Sequence, residues 1–239
     1  MQLVADIGNT AIKFASFEGE QMRYSGTGVA ALEQHLSAGP MPVRCLIASV
    51  SEHTAVTDLL KKYNIPYDLL SPATSLPIAN LYGTPETLGA DRLTLAVAAQ
   101  KTIGVPALVI AAGTCITYNL VDTAGYRGGA ISPGITMRFR ALQHYTSRLP
   151  YVDWDAYRHD AFDGLIGTDT TSSILSGVLE GVIQEVSGTI EEYERRYSGL
   201  RVAVTGGDMA FLVKNLKNGI FAGPDMVLEG LNYILLHNA

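Results

Sequence analysis

One pattern occurs in both halves of this chain: an apolar run ends in a glycine turn bearing small hydroxyl or amide side chains, and a second apolar run follows. The first copy is Leu3-Val4-Ala5-Asp6-Ile7-Gly8-Asn9-Thr10-Ala11-Ile12-Lys13, and the second is Leu108-Val109-Ile110-Ala111-Ala112-Gly113-Thr114-Cys115-Ile116-Thr117-Tyr118. Setting Gly8 on Gly113 aligns the apolar runs on both sides, which reads as a diverged internal duplication. Glycine permits close backbone approach, and the neighbouring N–H groups and side-chain donors suit an anion such as phosphate. Two such turns would grip a polyphosphate from both sides. Each turn taken alone is equally an ordinary β-hairpin, since Gly, Asn and Thr are common turn residues.

Composition narrows the partners. The 239 residues, 47% of them apolar, suffice for a large core in one or two domains. Seventeen basic residues against 23 acidic ones give a formal charge of -6, and no basic run exceeds the pairs Lys61-Lys62 and Arg195-Arg196, so nucleic acid is not an expected partner. No stretch approaches the ~18 consecutive apolar residues of a membrane span, and the N-terminus leads straight into a strand, so a cytoplasmic protein is expected. Cys45 and Cys115 lie in apolar strand-like runs without a C-x-x-C partner and read as buried free thiols.

The order of elements repeats as well. The first half reads β-β-β-α-β-α-β, with strands near 2–6, 11–17, 21–25, 43–49 and 66–70 and helices near 29–37 and 52–63. A helical pattern through Leu93, Leu95, Ala96 and Ala99 ends at Gly104-Val105-Pro106, where a domain boundary is expected. The second half carries strands at 107–111, 115–121, 126–132 and 201–205, a helix from about 134, a long helix over about 169–197, and helices to the end. Ile174, Leu175, Val178, Leu179, Val182, Ile183, Val186 and Ile190 recur at three- and four-residue steps and mark the long helix as a core element. The expected class is α/β, with duplicated ribonuclease-H-like β-β-β-α-β-α domains at 1–104 and 105–239.

Three places concentrate polar chemistry. Asp6 projects from the end of the first strand beside the Gly8 turn, where an acid commonly holds Mg²⁺ when a nucleotide fills the loop, and Lys13 on the return strand can reach a phosphate oxygen. Thr114 and Thr117 add donors at the second turn. A third turn, Thr205-Gly206-Gly207 after the strand Val202-Ala203-Val204, would let a flat adenine or ribose pack on backbone. In the segment Tyr82-Gly83-Thr84-Pro85-Glu86-Thr87-Leu88-Gly89-Ala90-Asp91-Arg92, Asp91 can accept a proton from a substrate hydroxyl while Arg92 orients an anionic or amide group. Helix capping with a surface ion pair accounts for the same acid and guanidinium equally well. The five histidines have no ligand spacing, and the aromatic stretch from Tyr145 to Tyr157, with Trp154, suits the substrate pocket or a subunit interface, of which the interface is the expectation.

Three glycine turns in the order phosphate, phosphate, adenosine resemble the arrangement of the actin, hexokinase and acetate-kinase superfamily. Within it the chain resembles the type III pantothenate kinases along nearly its whole length. The resemblance rests on Asp6-Ile-Gly-Asn-Thr with Lys13, Tyr82 with Gly89-Ala-Asp-Arg92, Gly113-Thr114 with Thr117, Gly128-Gly-Ala-Ile-Ser-Pro-Gly134, Thr170 seven residues before Gly177, and Thr205-Gly-Gly207. It implies ATP-dependent phosphorylation of pantothenate to 4'-phosphopantothenate, the first step of coenzyme A biosynthesis, by a cytoplasmic homodimer. ATP and Mg²⁺ would then meet Asp6, Ile7, Gly8, Asn9, Thr10, Ala11, Ile12, Lys13, Thr114, Thr205, Gly206 and Gly207, with Asp6 on the metal. Pantothenate would meet Tyr82, Gly89, Ala90, Asp91, Arg92 and Thr170, with Asp91 as general base.

The chain departs from the family at the second turn. Where the family has Asp-x-Gly-Thr, an acid associated with a monovalent cation, this sequence has Ala111, and the acid usual after Thr117 is Asn119. A methyl group cannot coordinate a hard cation, so potassium dependence is not expected unless another acid such as Asp122 substitutes. Ala111 also motivates a second reading, a nucleotide-binding accessory or regulatory protein of this fold with little or no turnover.

Overall fold

The computed structural model describes residues 1–217 and 219–239. The first sheet is built from β1 (Gln2–Ile7), β2 (Ile12–Glu18), β3 (Gln21–Thr27), β4 (Cys45–Ser49) and β5 (Tyr67–Leu69), with α1 (Val29–Ala38) before β4 and α2 (Thr54–Lys62) after it. Helix α3 (Ala90–Thr102) precedes the second set of strands: β6 (Ala107–Ala112), β7 (Cys115–Asp122), β8 (Gly125–Gly128) and β9 (Ile131–Pro133). Then come α4 (Ile135–Tyr145), α5 (Thr170–Leu175), α6 (Gly181–Arg196), β10 (Arg201–Thr205), α7 (Met209–Asn215), β11 (Ile220–Ala222) and α8 (Met226–His237).

The strand orders bear out the duplication. The first sheet runs β3-β2-β1-β4-β5, and the second, apart from β9 beside β7, runs β8-β7-β6-β10-β11. Strand for strand these are the same arrangement. In both, the glycine-turn strand (β1 or β6) sits mid-sheet, and the strand parallel to it (β4 or β10) is followed by a parallel edge strand.

The chain forms two compact units. The first comprises Met1–Ile103, Val121–Arg127 and Asp225–Ala239, and the second comprises Gly104–Leu120 and Gly128–Pro224. The expected division at 104/105 therefore differs in two places, because the tip of the β7/β8 hairpin and the C-terminal helix join the first unit. The physical reason for the helix is close packing. A side chain at Gly230 of α8 would meet the Thr94 carbonyl of α3 at 2.0 Å, so only glycine lets the two backbones approach. At the other end, Asn232 donates from Nδ2 to the Gly19 carbonyl at 2.9 Å.

Alternation along the strands decides which side chains meet which helices. Leu3, Ala5 and Ile7 pack with Leu32 and Leu36 of α1 and Val56, Leu59 and Leu60 of α2. Val4 and Asp6 point to the other face, against which α8 packs, with α3 beside it. In the second unit Leu108, Ile110 and Ala112 join the core formed with α4, α5, α6 and α7, leaving Val109 and Ala111 on the opposite face.

The long helix is present, with all eight of its expected apolar residues buried. One wide π-type turn, Ser176–Glu180, interrupts it between α5 and α6. Three other expectations are corrected. The end of the chain is not helical throughout: β11 is a three-residue edge strand between glycines, too short for a period to reveal. Cys115 is partly exposed, unlike the buried Cys45, because it opens β7 beside the turn. Trp154, 1% exposed, is a core residue of the second unit rather than an interface residue, packed edge-on to Phe211 with ring centroids 5.6 Å apart.

Candidate active site

In the first unit the β1 turn closes with Gly8 N–H donating to the Ala11 carbonyl at 3.1 Å. The turn is braced from β4 by Val50 N–H on the Ile7 carbonyl at 3.1 Å and by Ser51 Oγ on the Gly8 carbonyl at 3.0 Å. The backbone between Gly8 and Ala11 is therefore fixed while the Asn9 and Thr10 side chains stay exposed. Asp6 lies directly across from Lys13 in the β1/β2 register.

Asp91 approaches the same face from the first turn of α3. Gly89 makes its rotamer available, since a Cβ there would fall 2.6 Å from Asp91 Oδ1. That oxygen accepts the Arg92 N–H at 2.9 Å. Burial pushes the Asp6 carboxyl up to about 6, the Asp91 charge adds to the rise, and Lys13 opposes it. Burial likewise holds Asp91 above the ordinary carboxylate range, against the pull of the Arg92 N–H and guanidinium. A desolvated acid with raised proton affinity is what a general base requires, as Asp91 provides, and a strand-end carboxylate such as Asp6 suits a divalent cation completed by phosphate oxygens and water. No cluster of three or more metal-ligating side chains exists among the described residues.

Arg92 is 4% exposed, and its guanidinium lies over the rings of Tyr82 and Tyr126 at 5.6 and 5.9 Å. Asp6, Lys13, Tyr82, Gly89, Ala90, Asp91 and Arg92 thus come together within one unit. Tyr126 escaped the sequence reading. Its only signal is position: it follows Gly125 in a short strand whose tip returns to the first unit.

The second unit holds the other glycine turns. Gly113 N–H donates to the Cys115 carbonyl at 3.0 Å, and Gly134 N–H donates to the Thr114 carbonyl at 3.1 Å. A side chain at Gly134 would meet the Gly113 carbonyl at 2.0 Å, so the start of α4 is seated on the turn. Thr205 and Ala111 are register partners. The turn after Thr205 is glycine by necessity: Gly206 has φ +97°, and a Cβ there would sit 2.2 Å from the Ala112 carbonyl. Asn119, fully buried, donates from Nδ2 to Thr117 Oγ1 at 3.1 Å and to the Val109 carbonyl at 3.2 Å. Thr170 opens α5 with its side chain exposed, and Asp169 caps the helix by accepting the Ser172 N–H at 2.9 Å.

The sequence reading also missed a clamp after the third turn. Arg158 bonds Asp208 and Asp155 and lies 4.3 Å over the Trp154 ring. Burial raises the Asp208 carboxyl, and Arg158 draws it back down. The i,i+4 spacing of Trp154 and Arg158 was its faint sequence signal.

Two sheets that share one strand order, each with a glycine turn after its central strand, give the fold seen in the actin and hexokinase superfamily. Solved structures agree on the fold. Component A of the (R)-2-hydroxyglutaryl-CoA dehydratase of Acidaminococcus fermentans superposes with a TM-score of 0.57 at 14% identity over 98% of this chain and 96% of that one. A glucokinase from an Antarctic psychrotroph gives 0.50 at 14% identity over 99% of this chain and 98% of that one. A family model described as type III pantothenate kinase matches residues 2–192. A type III pantothenate kinase of Bacteroides fragilis is 40% identical over 244 residues, covering 100% of this chain and 98% of the relative, and one of Cytophaga hutchinsonii is 38% identical over 242 residues, covering all of both. The chain belongs to the type III pantothenate kinase family.

Proposed function

We propose that this protein transfers the γ-phosphoryl group of ATP to the primary hydroxyl of pantothenate, giving 4'-phosphopantothenate and ADP, with the roles of its residues as follows. Asp91 accepts the hydroxyl proton as the hydroxyl oxygen bonds to the γ-phosphorus and the bond to the β–γ bridging oxygen breaks. Arg92 and Tyr82 orient pantothenate, its carboxylate or amide matching the planar guanidinium. Lys13 and the backbone from Gly8 to Ala11 meet phosphate oxygens, as does Thr114, and Thr205 to Gly207 receive the nucleoside. Asp6 would hold Mg²⁺, which when bound would neutralise charge on the nucleotide's phosphates. Catalysis is then mostly positioning and electrostatics.

The observation that carries this reading is the pairing of Asp6 with Asp91: a metal-suited acid and a desolvated base on one face, with Arg92 adjoining. Family membership supports the substrate. We extend the proposal to a homodimer acting in the cytoplasm. Exposed Tyr145, Leu165 and Ile166 in the second unit support burial against a second copy, and no helix among the described residues is long and apolar enough to cross a membrane. A monovalent cation is not part of the proposal, since Ala111 offers no side-chain oxygen and Thr117 Oγ1 already accepts from Asn119. The test is ADP formation by purified protein with and without pantothenate, with the phosphorylated product identified by mass. ATP binding without pantothenate-dependent turnover, even in a single-turnover experiment, would instead support the accessory-protein reading that Ala111 motivates.

A further inference from the structure

The Arg92 guanidinium is buried and planar, and its usefulness depends on being held at one angle. Tyr82 and Tyr126 flank it, with ring centroids 6.1 Å apart and planes tilted by 33°. The two rings are not equivalent. Tyr82 is partly exposed on the loop before α3, whereas Tyr126 is 0% exposed. The backbone of Tyr126 also carries that loop: its N–H donates to the Ala79 carbonyl at 2.9 Å, and its carbonyl accepts the Leu81 N–H at 3.0 Å. The loop adds its own brace, Tyr82 N–H on Asn80 Oδ1 at 3.1 Å. Gly125, with φ +132°, permits this seating, for a Cβ there would lie 2.2 Å from the Ala79 carbonyl.

We propose that Tyr126 is a positioning residue for pantothenate recognition: its buried ring fixes the plane of the Arg92 guanidinium while its backbone mounts the Tyr82 loop. This deepens the reading in which Arg92 and Tyr82 bind the substrate, and rests on it. Aromatic faces hold a guanidinium by cation–π attraction and stacking, so the role assigned to Tyr126 requires a ring at this position.

The experiment is steady-state kinetics on Tyr126→Leu, Tyr126→Phe, Arg92→Lys and the double variant Tyr126→Leu/Arg92→Lys, with melting curves for each. Tyr126→Leu is expected to raise KM for pantothenate about 5- to 10-fold, with KM for ATP within about twofold of the parent, and Tyr126→Phe, which keeps the ring, to raise the KM for pantothenate much less. In the Arg92→Lys background Tyr126→Leu adds no further loss, because the two residues act through one group. Equal effects of Leu and Phe, independent effects in the double variant, or an equal rise in KM for ATP overturn the proposal. A raised pantothenate KM in Arg92→Lys with an unchanged one in Tyr126→Leu overturns the positioning role alone. An unchanged value in Arg92→Lys overturns the assignment of the substrate loop itself. If Tyr126→Leu loses its cooperative melting transition, Tyr126→Met, which fills the space without a ring, takes its place.

Discussion

Asp91, on the first turn of α3, bears electrostatically on Asp6, at the end of β1: its negative charge adds to the burial that raises the Asp6 carboxyl to about 6. The two acids lie far apart in sequence and meet because alternation along β1 turns Asp6 toward the face where α3 and α8 pack.

Replacing Asp91 with Asn is expected to leave ATP and pantothenate binding nearly intact while lowering kcat by roughly 10²- to 10⁴-fold, the usual share of a positioned base. Calorimetric titration of each ligand alongside single-turnover kinetics checks both halves. Near-parental turnover removes Asp91 from the role of base.

Asp6 carries a pH signature in the protein free of nucleotide and metal. Its folded-state value, about 6, lies above the ordinary 3.8, so between about pH 4 and 6 the folded chain binds more protons than the unfolded one, and stability falls as pH rises through that window. Asp6→Asn removes the charge, and should stabilise the protein by about 1–3 kcal/mol at pH 7 and by almost nothing at pH 4. The same variant should need much more Mg²⁺ for ATP turnover. Denaturant melts at the two pH values and a Mg²⁺ titration of activity decide the matter; an unaltered titration curve means the ATP turn is wrongly assigned.

Activity should be indifferent to exchange of sodium for potassium or ammonium at matched ionic strength. Ala111 supplies no side-chain oxygen, and Asp122, the nearby acid in sequence, is engaged by Arg127 at 2.7 Å. Potassium activation of the parent would show that an acid elsewhere completes a site. A potassium response gained only in Ala111→Asp, or in Ala111→Asp with Asn119→Asp, would support the expectation.

Gly206→Ala forces both a left-handed backbone and a contact of 2.2 Å with the Ala112 carbonyl. The expected cost is several kcal/mol, more than strain alone, because that carbonyl also accepts the Asp208 N–H at 3.0 Å and cannot retreat without loss. Gly207→Ala, with open space around its added methyl, should melt near the parent. Similar melting temperatures for the two would refute this account of the third turn.

The sequence by itself determined what is local or repeated. Glycine turns after apolar runs, three- and four-residue spacing along 170–196, and the recurrence of one element order reflect turn chemistry and burial periodicity, which neighbouring residues dictate. They announced the duplicated α/β class, the Asp6 turn and the Asp91-Arg92 pair. Tertiary structure alone decided what depends on distant segments. That β8 carries Tyr126 to Arg92, that α8 returns to α3 over Gly230, that Trp154 is core and braces Arg158 toward Asp208, and that β11 is a strand at all, follow from close packing and edge pairing between segments far apart in the chain, which no local period encodes.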